Sequence, residues 1–193
     1  MLRLQPPRPH DLAVPKRFIV LLSVLYPVLI YFGSRYLSPQ ILSLVLALLV
    51  LGRRTTAFGV PFSPWSVAGG LLLAVLAYGL NNALLLKLYP VLVNGSLLVI
   101  FASSLWYPPP IAERIARVRI PELPALMVGY TRRVTQAWCI FFVGNALIAL
   151  WTALLCSDHA WFMYNGVIAY VLVGAMFAGE WLIRRSVLRS CQA

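Results

Sequence analysis

The sequence contains few of the side chains on which enzyme chemistry depends. Only five of its 193 residues are acidic, two are histidine and three are cysteine. It has no glycine-rich phosphate loop, no Gly-x-Ser-x-Gly turn, no His-Glu-x-x-His pair and no Cys-x-x-Cys pair. Five scattered acids do not supply the carboxylate cluster that would hold Mg²⁺ for lipid diphosphate chemistry. We therefore expect no catalytic residue, no metal site and no cofactor, and we interpret the protein as a non-enzyme.

Each ionisable side chain near an apolar segment has a structural as well as a functional interpretation. Asp158 and His159 are neighbours in a short predicted external loop, where they form either a proton-handling pair or a solvated turn. Glu180 is the single acid inside a predicted span and is a functional candidate for that reason. It also precedes Arg184 by one helical turn, which predicts an ion pair near the membrane surface. Lys87 is expected at a tight turn, reaching for lipid headgroups.

Apolar residues, in contrast, are abundant. Hydrophobic residues make up 61% of the chain and charged residues 11%, more apolar surface than a soluble domain of this length can bury. The sequence therefore predicts an all-α integral membrane protein with one bundle of helices. Between a basic N-terminal tail (1–17) and a basic C-terminal tail (184–193), predicted spans cover about 18–37, 40–52, 65–86, 88–106, 134–156 and 161–183.

The distribution of arginine and lysine predicts the orientation of these spans. The second run is short, so five spans plus a re-entrant segment is the alternative to six. If all six cross, fourteen of the sixteen basic residues lie on one side, and only Arg35 and Lys87 lie on the other. The positive-inside rule then favours six spans in a bacterial inner membrane with both termini cytoplasmic. Because the arginines lie between apolar runs, we expect membrane lipids and no nucleic acid as partners.

A polar stretch between the fourth and fifth spans predicts an amphipathic helix at about 111–120, after the three prolines that end the fourth span. One predicted face carries Ile111, Ile115 and Val118, and the opposite face carries Glu113, Arg114 and Arg117. The pattern favours a helix in the cytoplasmic headgroup plane over a solvated loop. The residues expected to contact anionic headgroups are Arg114, Arg117 and Arg119.

Amides and aromatic residues are the polar groups that the predicted spans do contain. A buried amide needs a hydrogen-bond partner, so these residues either join helices or line a shared polar cavity. The candidate binding residues are Asn94, Asn145, Asn165, Tyr89, Tyr164 and Trp161. Trp161, with Trp65 and Trp106, also lies at the end of a run, where tryptophan is expected at the membrane–water interface.

A short internal echo raises the question of a repeat. The five residues Leu25–Leu29 recur as Leu88–Leu92, at the first and fourth predicted spans. In a six-span protein these segments open two three-helix halves of opposite orientation, which is the pattern of an inverted repeat. A coincidence in leucine-rich sequence is the alternative explanation.

From Tyr89 onward the sequence carries several distinctive segments, namely Tyr89–Asn94, Pro109–Arg117, Tyr130–Arg132, the Phe141-Phe142-x-x-Asn145 motif and the Trp161-x-x-Tyr164-Asn165-Gly166 motif. In these segments the chain resembles a family of uncharacterised bacterial inner-membrane proteins often encoded with aryl-polyene or fatty-acid-synthase-like gene clusters. More distantly, the chain is similar to the intracellular septation protein A family. That similarity lies in Pro90, Leu123-Pro124, Trp138, Phe141-Phe142 and Trp161, with Asn165 where a lysine is usual in that family.

The resemblance implies a role in cell-envelope synthesis or in the assembly of polyene-type lipids. We expect a non-enzymatic scaffold for a membrane-bound assembly machine, whose components are then its protein partners. A carrier or flippase for a lipid-like product is the alternative. A water-filled cavity between Asn94 and Asn165 favours the carrier, and a packed core favours the scaffold.

Overall fold

The computed structural model of the protein describes residues 25–52, 64–118, 120 and 122–190. Every regular element in these ranges is helical, which confirms the predicted all-α fold for the described part of the chain. The helices are α1 (Tyr26–Gly33), α2 (Pro39–Gly52), α3 (Pro64–Leu80), α4 (Ala83–Lys87), α5 (Tyr89–Trp106), α6 (Ile111–Arg117), α7 (Ala125–Leu155), α8 (Asp158–Met163) and α9 (Ala169–Ser190), with a π-helical turn (Tyr164–Ile168) between α8 and α9.

Three helical segments are long and apolar enough to cross a membrane, namely Ala83–Trp106, Ala125–Leu155 and Asp158–Arg185. The shortest has 24 residues, and at 1.5 Å per residue it exceeds a hydrocarbon core of about 30 Å. Helices α2 and α3 are apolar but shorter, with 14 and 17 residues. The predicted N-terminal tail and the start of the first span lie outside the described residues. The length and composition of the helices are those of a membrane protein, and the count of six spans stays a prediction.

Two helix boundaries differ from those predicted. The turn between the third and fourth spans lies at Asn81–Asn82, and a second, smaller break between α4 and α5 follows Lys87, where the junction was predicted. Asn81 has a φ of 48°, a left-handed conformation that asparagine adopts more readily than most residues. The Asn82 Oδ1 then accepts a hydrogen bond from the backbone N–H of Leu84 and caps α4. Helix α7 begins at Ala125, so residues 125–133, predicted as part of the polar interruption, are helical.

Two apolar clusters hold the helices together. The first cluster contains residues of α1, α2, α3, α4 and α8, together with the start of α5 and the end of α7. It includes Leu46, Leu86 and Trp161, which are almost fully buried. The second joins α5, α6 and α7 through Phe101, Ile111, Trp138 and Phe142. Along α5 and α7 the two clusters are separated by the positions of Asn94 and Asn145.

Helix α9 lies largely outside both clusters. Its nearest packing contacts include the Phe177 ring, whose centroid is 4.9 Å from that of Trp138, and the Tyr130 hydroxyl, which donates to the Glu180 carbonyl over 3.0 Å. Most of its apolar side chains face outward, with Val171 65% exposed. The exposed apolar surface of α9 is suited to contact with lipid or with another apolar surface.

Candidate functional site

A chain of buried hydrogen bonds links three of the predicted binding residues across α5, α7 and the π-helical turn. The Asn145 Nδ2 donates to Oδ1 of Asn94 over 2.9 Å, and the Tyr164 hydroxyl donates to Oδ1 of Asn145 over 2.7 Å. The Asn94 Nδ2 donates to the Pro90 carbonyl over 2.8 Å. All three residues of the chain are at most 9% exposed. Because a buried amide or hydroxyl needs a partner, these bonds fasten the three segments to one another.

A second buried contact lies further along α7. The Asn165 Nδ2 donates to Oγ1 of Thr152 over 3.2 Å and to the Trp161 carbonyl over 3.0 Å. The Thr152 hydroxyl donates in turn to the Ala149 carbonyl. Thr152 is the member of this group that the sequence analysis missed, although its spacing of seven residues from Asn145 places both on one face of α7.

The π-helical turn presents two consecutive side chains to that face. Tyr164 contacts Asn145, and Asn165 contacts Thr152. Neighbouring residues of a regular α-helix point about 100° apart, so a locally widened turn helps both to reach one partner helix. Turns of this kind are frequent at functional sites, and the π-helical turn is the principal backbone irregularity of the site.

The other two predicted residues, Trp161 in α8 and Tyr89 at the start of α5, lie beside the end of α4. The Trp161 Nε1 donates to the Lys87 carbonyl over 3.2 Å, and the Tyr26 hydroxyl donates to the Leu86 carbonyl over 2.8 Å. These side chains supply donors to carbonyls at a helix end, where the helix supplies none. The Tyr89 ring packs against Tyr26 with centroids 4.7 Å apart. Trp161 is 1% exposed, so its ring packs inside the bundle, and its place at the depth of the membrane interface stays a prediction.

The ionisable side chains form pairs at the ends of the helices. Lys87 pairs with Asp158 and ties α4 to the start of α8, so the prediction that Lys87 reaches for headgroups is wrong. The Asp158 carboxylate is already in contact with the Lys87 ammonium group, so that group needs no lipid headgroup as its partner. The Glu180 and Arg184 side chains approach to 3.6 Å, which confirms the predicted ion pair.

The buried polar groups of the described residues are internally satisfied. Within those ranges, each buried side-chain nitrogen or oxygen has a hydrogen-bond partner. A polar ligand that entered between Asn94 and Asn165 would have to displace bonds that α5, α7 and the π-helical turn already make. The structure thus brings the predicted amides together as a fastening between helices, and we call Asn94, Asn145, Thr152, Tyr164 and Asn165 the amide network.

Helix α6 is present, and one residue of its predicted polar face is buried in the bundle. Glu113, expected on the polar face, is 4% exposed and pairs with Arg117 at 2.7 Å. Ile115 and Val118, which share the predicted apolar face with Ile111, are exposed, as side chains that face a membrane would be. The buried carboxylate is tolerated because a guanidinium lies one helical turn away. Placement of this helix in the headgroup plane stays a prediction.

Side chains from two neighbouring helices hold the start of α6. The backbone N–H of Ile111 donates to Oγ of Ser104, and that of Ala112 donates to Oγ1 of Thr135. The first N–H groups of a helix lack partners within it, so these hydroxyls complete the first turn. The short helix is thereby fixed to α5 and α7.

Of the three predicted headgroup-contacting residues, Arg114 and Arg117 are described and Arg119 lies outside the described residues. The Arg114 side chain is exposed and folds back over the proline turn that precedes α6. Its Nε donates to the Pro109 carbonyl over 2.7 Å, and its Nη2 donates to the Tyr107 carbonyl over 3.1 Å. Arg117 instead carries the ion pair with Glu113.

Among the described residues there is no group of three or more His, Cys, Asp or Glu side chains that could hold a metal ion. Comparisons of the chain with protein-family models, with curated proteins and with solved structures find no match.

Proposed function

We propose that the protein is a multi-pass, non-enzymatic component of a bacterial inner membrane that scaffolds the assembly of a lipid-like or aryl-polyene-type product. The observation that carries this proposal is the amide network. Its donors are bonded to one another and to nearby backbone carbonyls, which suits a bundle that keeps one arrangement. A scaffold needs a fixed frame that presents an outer surface to partners.

The outer surface of the described bundle suits this role. The apolar face of α9 is available to the membrane or to a partner helix. The segments that carry the resemblance to the polyene-cluster family include Tyr89–Asn94, Asn145 and Trp161–Gly166, and these meet in the amide network and at the end of α4. We propose that these segments form the fixed helix arrangement of the bundle.

Six membrane crossings with both termini cytoplasmic are part of this proposal. Tyr31 lies beside His159, with ring centroids 6.2 Å apart, and Lys87 pairs with Asp158. Through His159 and Asp158 these contacts bring the first and third predicted loops to the fifth, and a re-entrant second run would put the first loop on the opposite side of the membrane from the other two. Labelling of Asn82→Cys by a membrane-impermeant maleimide from outside is the expected result, whereas labelling only from inside would contradict six crossings.

A carrier for a lipid-like product is the second candidate, and two observations favour it. Tyr26-Pro27 and Tyr89-Pro90, the echoed dipeptides, each begin a helix, and their tyrosine rings touch. The π-helical turn supplies the kind of irregular backbone that functional sites use. A carrier of this kind moves its first half (α1 to α3) against its second half (α4 to α9).

Complementation of a deletion strain tests the non-enzymatic proposal. The variants Asp158→Asn, His159→Ala and Glu180→Gln are expected to restore the content of the membrane product and the integrity of the envelope. Asn94→Leu and Asn165→Leu are expected to fail, because they break the amide network. The amount of each variant in the membrane fraction is the control. A well-expressed Glu180→Gln or His159→Ala protein that does not complement would falsify the proposal.

A further inference from the structure

An apolar groove runs along the outer side of α5 toward the proline turn. It has a volume of about 500 Å³, within the range of small-molecule pockets. Its walls come from two neighbouring rows of α5 and from the residue that follows it, Leu98, Val99, Ala102, Ser103, Trp106 and Tyr107. From the first to the last of these residues α5 rises about 13 Å, close to the roughly 15 Å of one leaflet.

The groove ends beside a positive charge. Tyr107 lines the groove, and its carbonyl accepts a hydrogen bond from Nη2 of Arg114. The guanidinium group has five N–H donors, and the two bonds to the backbone carbonyls of Tyr107 and Pro109 use two of them. Within the described part of the chain Arg114 has no carboxylate partner, in contrast to Arg117. Its charge is therefore available to an anion.

We infer that the groove and Arg114 form a site for one anionic phospholipid, with the phosphate at the guanidinium group and an acyl chain along α5. Trp106 and Tyr107 flank the junction of these two parts and are 79% and 76% exposed, as expected of aromatic side chains at the headgroup level. The bonds to the proline turn hold the guanidinium in one orientation, which gives a fixed site rather than a diffuse attraction. This inference does not depend on whether the protein is a scaffold or a carrier.

Quenching of tryptophan fluorescence tests this site, because Trp106 lies in the groove. The full-length protein is reconstituted into phosphatidylcholine vesicles that contain increasing fractions of phosphatidylglycerol with brominated acyl chains. The Trp106 signal is the difference between the wild-type protein and the Trp106→Phe variant. We expect phosphatidylglycerol to quench this signal with an apparent affinity at least about fivefold above that of brominated phosphatidylcholine, the ratio that corresponds to about 1 kcal/mol per basic residue.

Two variants test the two parts of the site, the Arg114 guanidinium and the apolar groove, separately. Arg114→Gln is expected to reduce the preference for phosphatidylglycerol to about one. Ala102→Phe fills the groove without changing any charge, and it is expected to weaken quenching by both lipids. Arg132→Gln removes an exposed arginine elsewhere, and Val171→Phe adds the same ring to the exposed face of α9, so neither should change the Trp106 signal.

Three results would overturn the inference. Equal quenching by both lipids in the wild-type protein would show unselective lipid contact, and an equal loss with Arg132→Gln would show a diffuse electrostatic field. An Ala102→Phe protein that quenches like the wild type would show that the acyl chain lies elsewhere. If Arg114→Gln does not fold, Arg114→Lys, which keeps the charge but not the paired bonds to the proline turn, is expected to show a weaker preference for phosphatidylglycerol than the wild type, and an unchanged preference would contradict the fixed site.

Discussion

The region around the amide network and helix α9 use similar apolar compositions for different purposes. In the first region, Asn94, Asn145 and Tyr164 interlock with neighbouring segments and are nearly buried. In the second, apolar side chains such as Val171 project outward, with few contacts to the rest of the bundle. The comparison shows that both regions are apolar enough for a membrane, whereas a small number of polar contacts decides which helices are held in a fixed arrangement.

The largest expected effect comes from Asn145→Leu in the amide network. This change removes the donor to Asn94 and the acceptor for Tyr164, and a buried polar group left without a partner costs about 1–3 kcal/mol. We expect the free energy of unfolding, measured by denaturant titration in mixed micelles, to fall by about 2–4 kcal/mol. Ile140→Leu, an exposed position on the same helix, is the control and should change it little. Equal stabilities would show that the network does not fasten the helices.

The next effect compares two glycines, one in each region. A methyl group on Gly166 would come within 2.9 Å of the Phe162 ring, which is stacked on Tyr31. Gly166→Ala is therefore expected to lower the free energy of unfolding by about 1–3 kcal/mol. A methyl group on Gly174 in α9 meets nothing within 4 Å among the described residues. Gly174→Ala should leave stability unchanged or raise it by up to about 1 kcal/mol, because alanine favours helix.

The same measurement distinguishes a local clash at Gly166 from a general sensitivity of transmembrane glycines to substitution. A loss at Gly174 as large as that at Gly166 would mean that α9 packs closely against another surface in the purified protein. In that case the contrast between the two regions would not hold.

A smaller effect is expected from single hydroxyl groups. Tyr164→Phe removes the donor to Asn145, and interhelical hydrogen bonds in membranes contribute about 0.6 kcal/mol on average, with an upper value of about 1.7 kcal/mol. Tyr78→Phe removes an exposed hydroxyl and should have no measurable effect. A double-mutant cycle of Tyr164→Phe with Asn145→Leu should show coupling of that size, and strict additivity would speak against the bond.

The smallest effect concerns the Lys87–Asp158 pair. The Asp158 side chain is 66% exposed, so the pair is expected to contribute at most about 1 kcal/mol. Asp158→Asn should lower stability slightly at low ionic strength and not at all in molar salt, since salt screens exposed charges. A large, salt-independent loss would contradict this view of the pair.

The sequence predicted which residues belong to the site better than it predicted the contacts between them. Asn94, Asn145 and Asn165 could be selected because an amide in an apolar span needs a partner. Which partner each one has depends on the π-helical turn, which brings Tyr164 and Asn165 to one face of α7. Such a local widening has no simple signature in hydrophobic periodicity, so the pairing could not be derived.

The errors of the sequence analysis have a common physical origin. Glu113 was expected to face water, yet it is buried because Arg117 compensates its charge within the same helix. Lys87 was expected at a lipid headgroup, yet it pairs with Asp158 at the start of α8. Both placements depend on long-range packing or on a charged partner, whereas the run of apolar residues that builds α5 or α7 is visible in the sequence by itself.

The central claim, that the bundle works as a fixed frame, is tested most directly by locking its two halves together. In a variant whose native cysteines are replaced by serine, Tyr31→Cys and His159→Cys are bridged in cells by a short bifunctional thiol reagent, which joins α1 to α8. A bridge between Lys87→Cys and Asp158→Cys, both in the second half, is the matched control, and a monofunctional reagent controls for modification alone. The account predicts that both bridged proteins still restore the membrane product of the deletion strain. Loss of the product with the α1–α8 bridge alone would contradict it and identify a carrier whose halves must move.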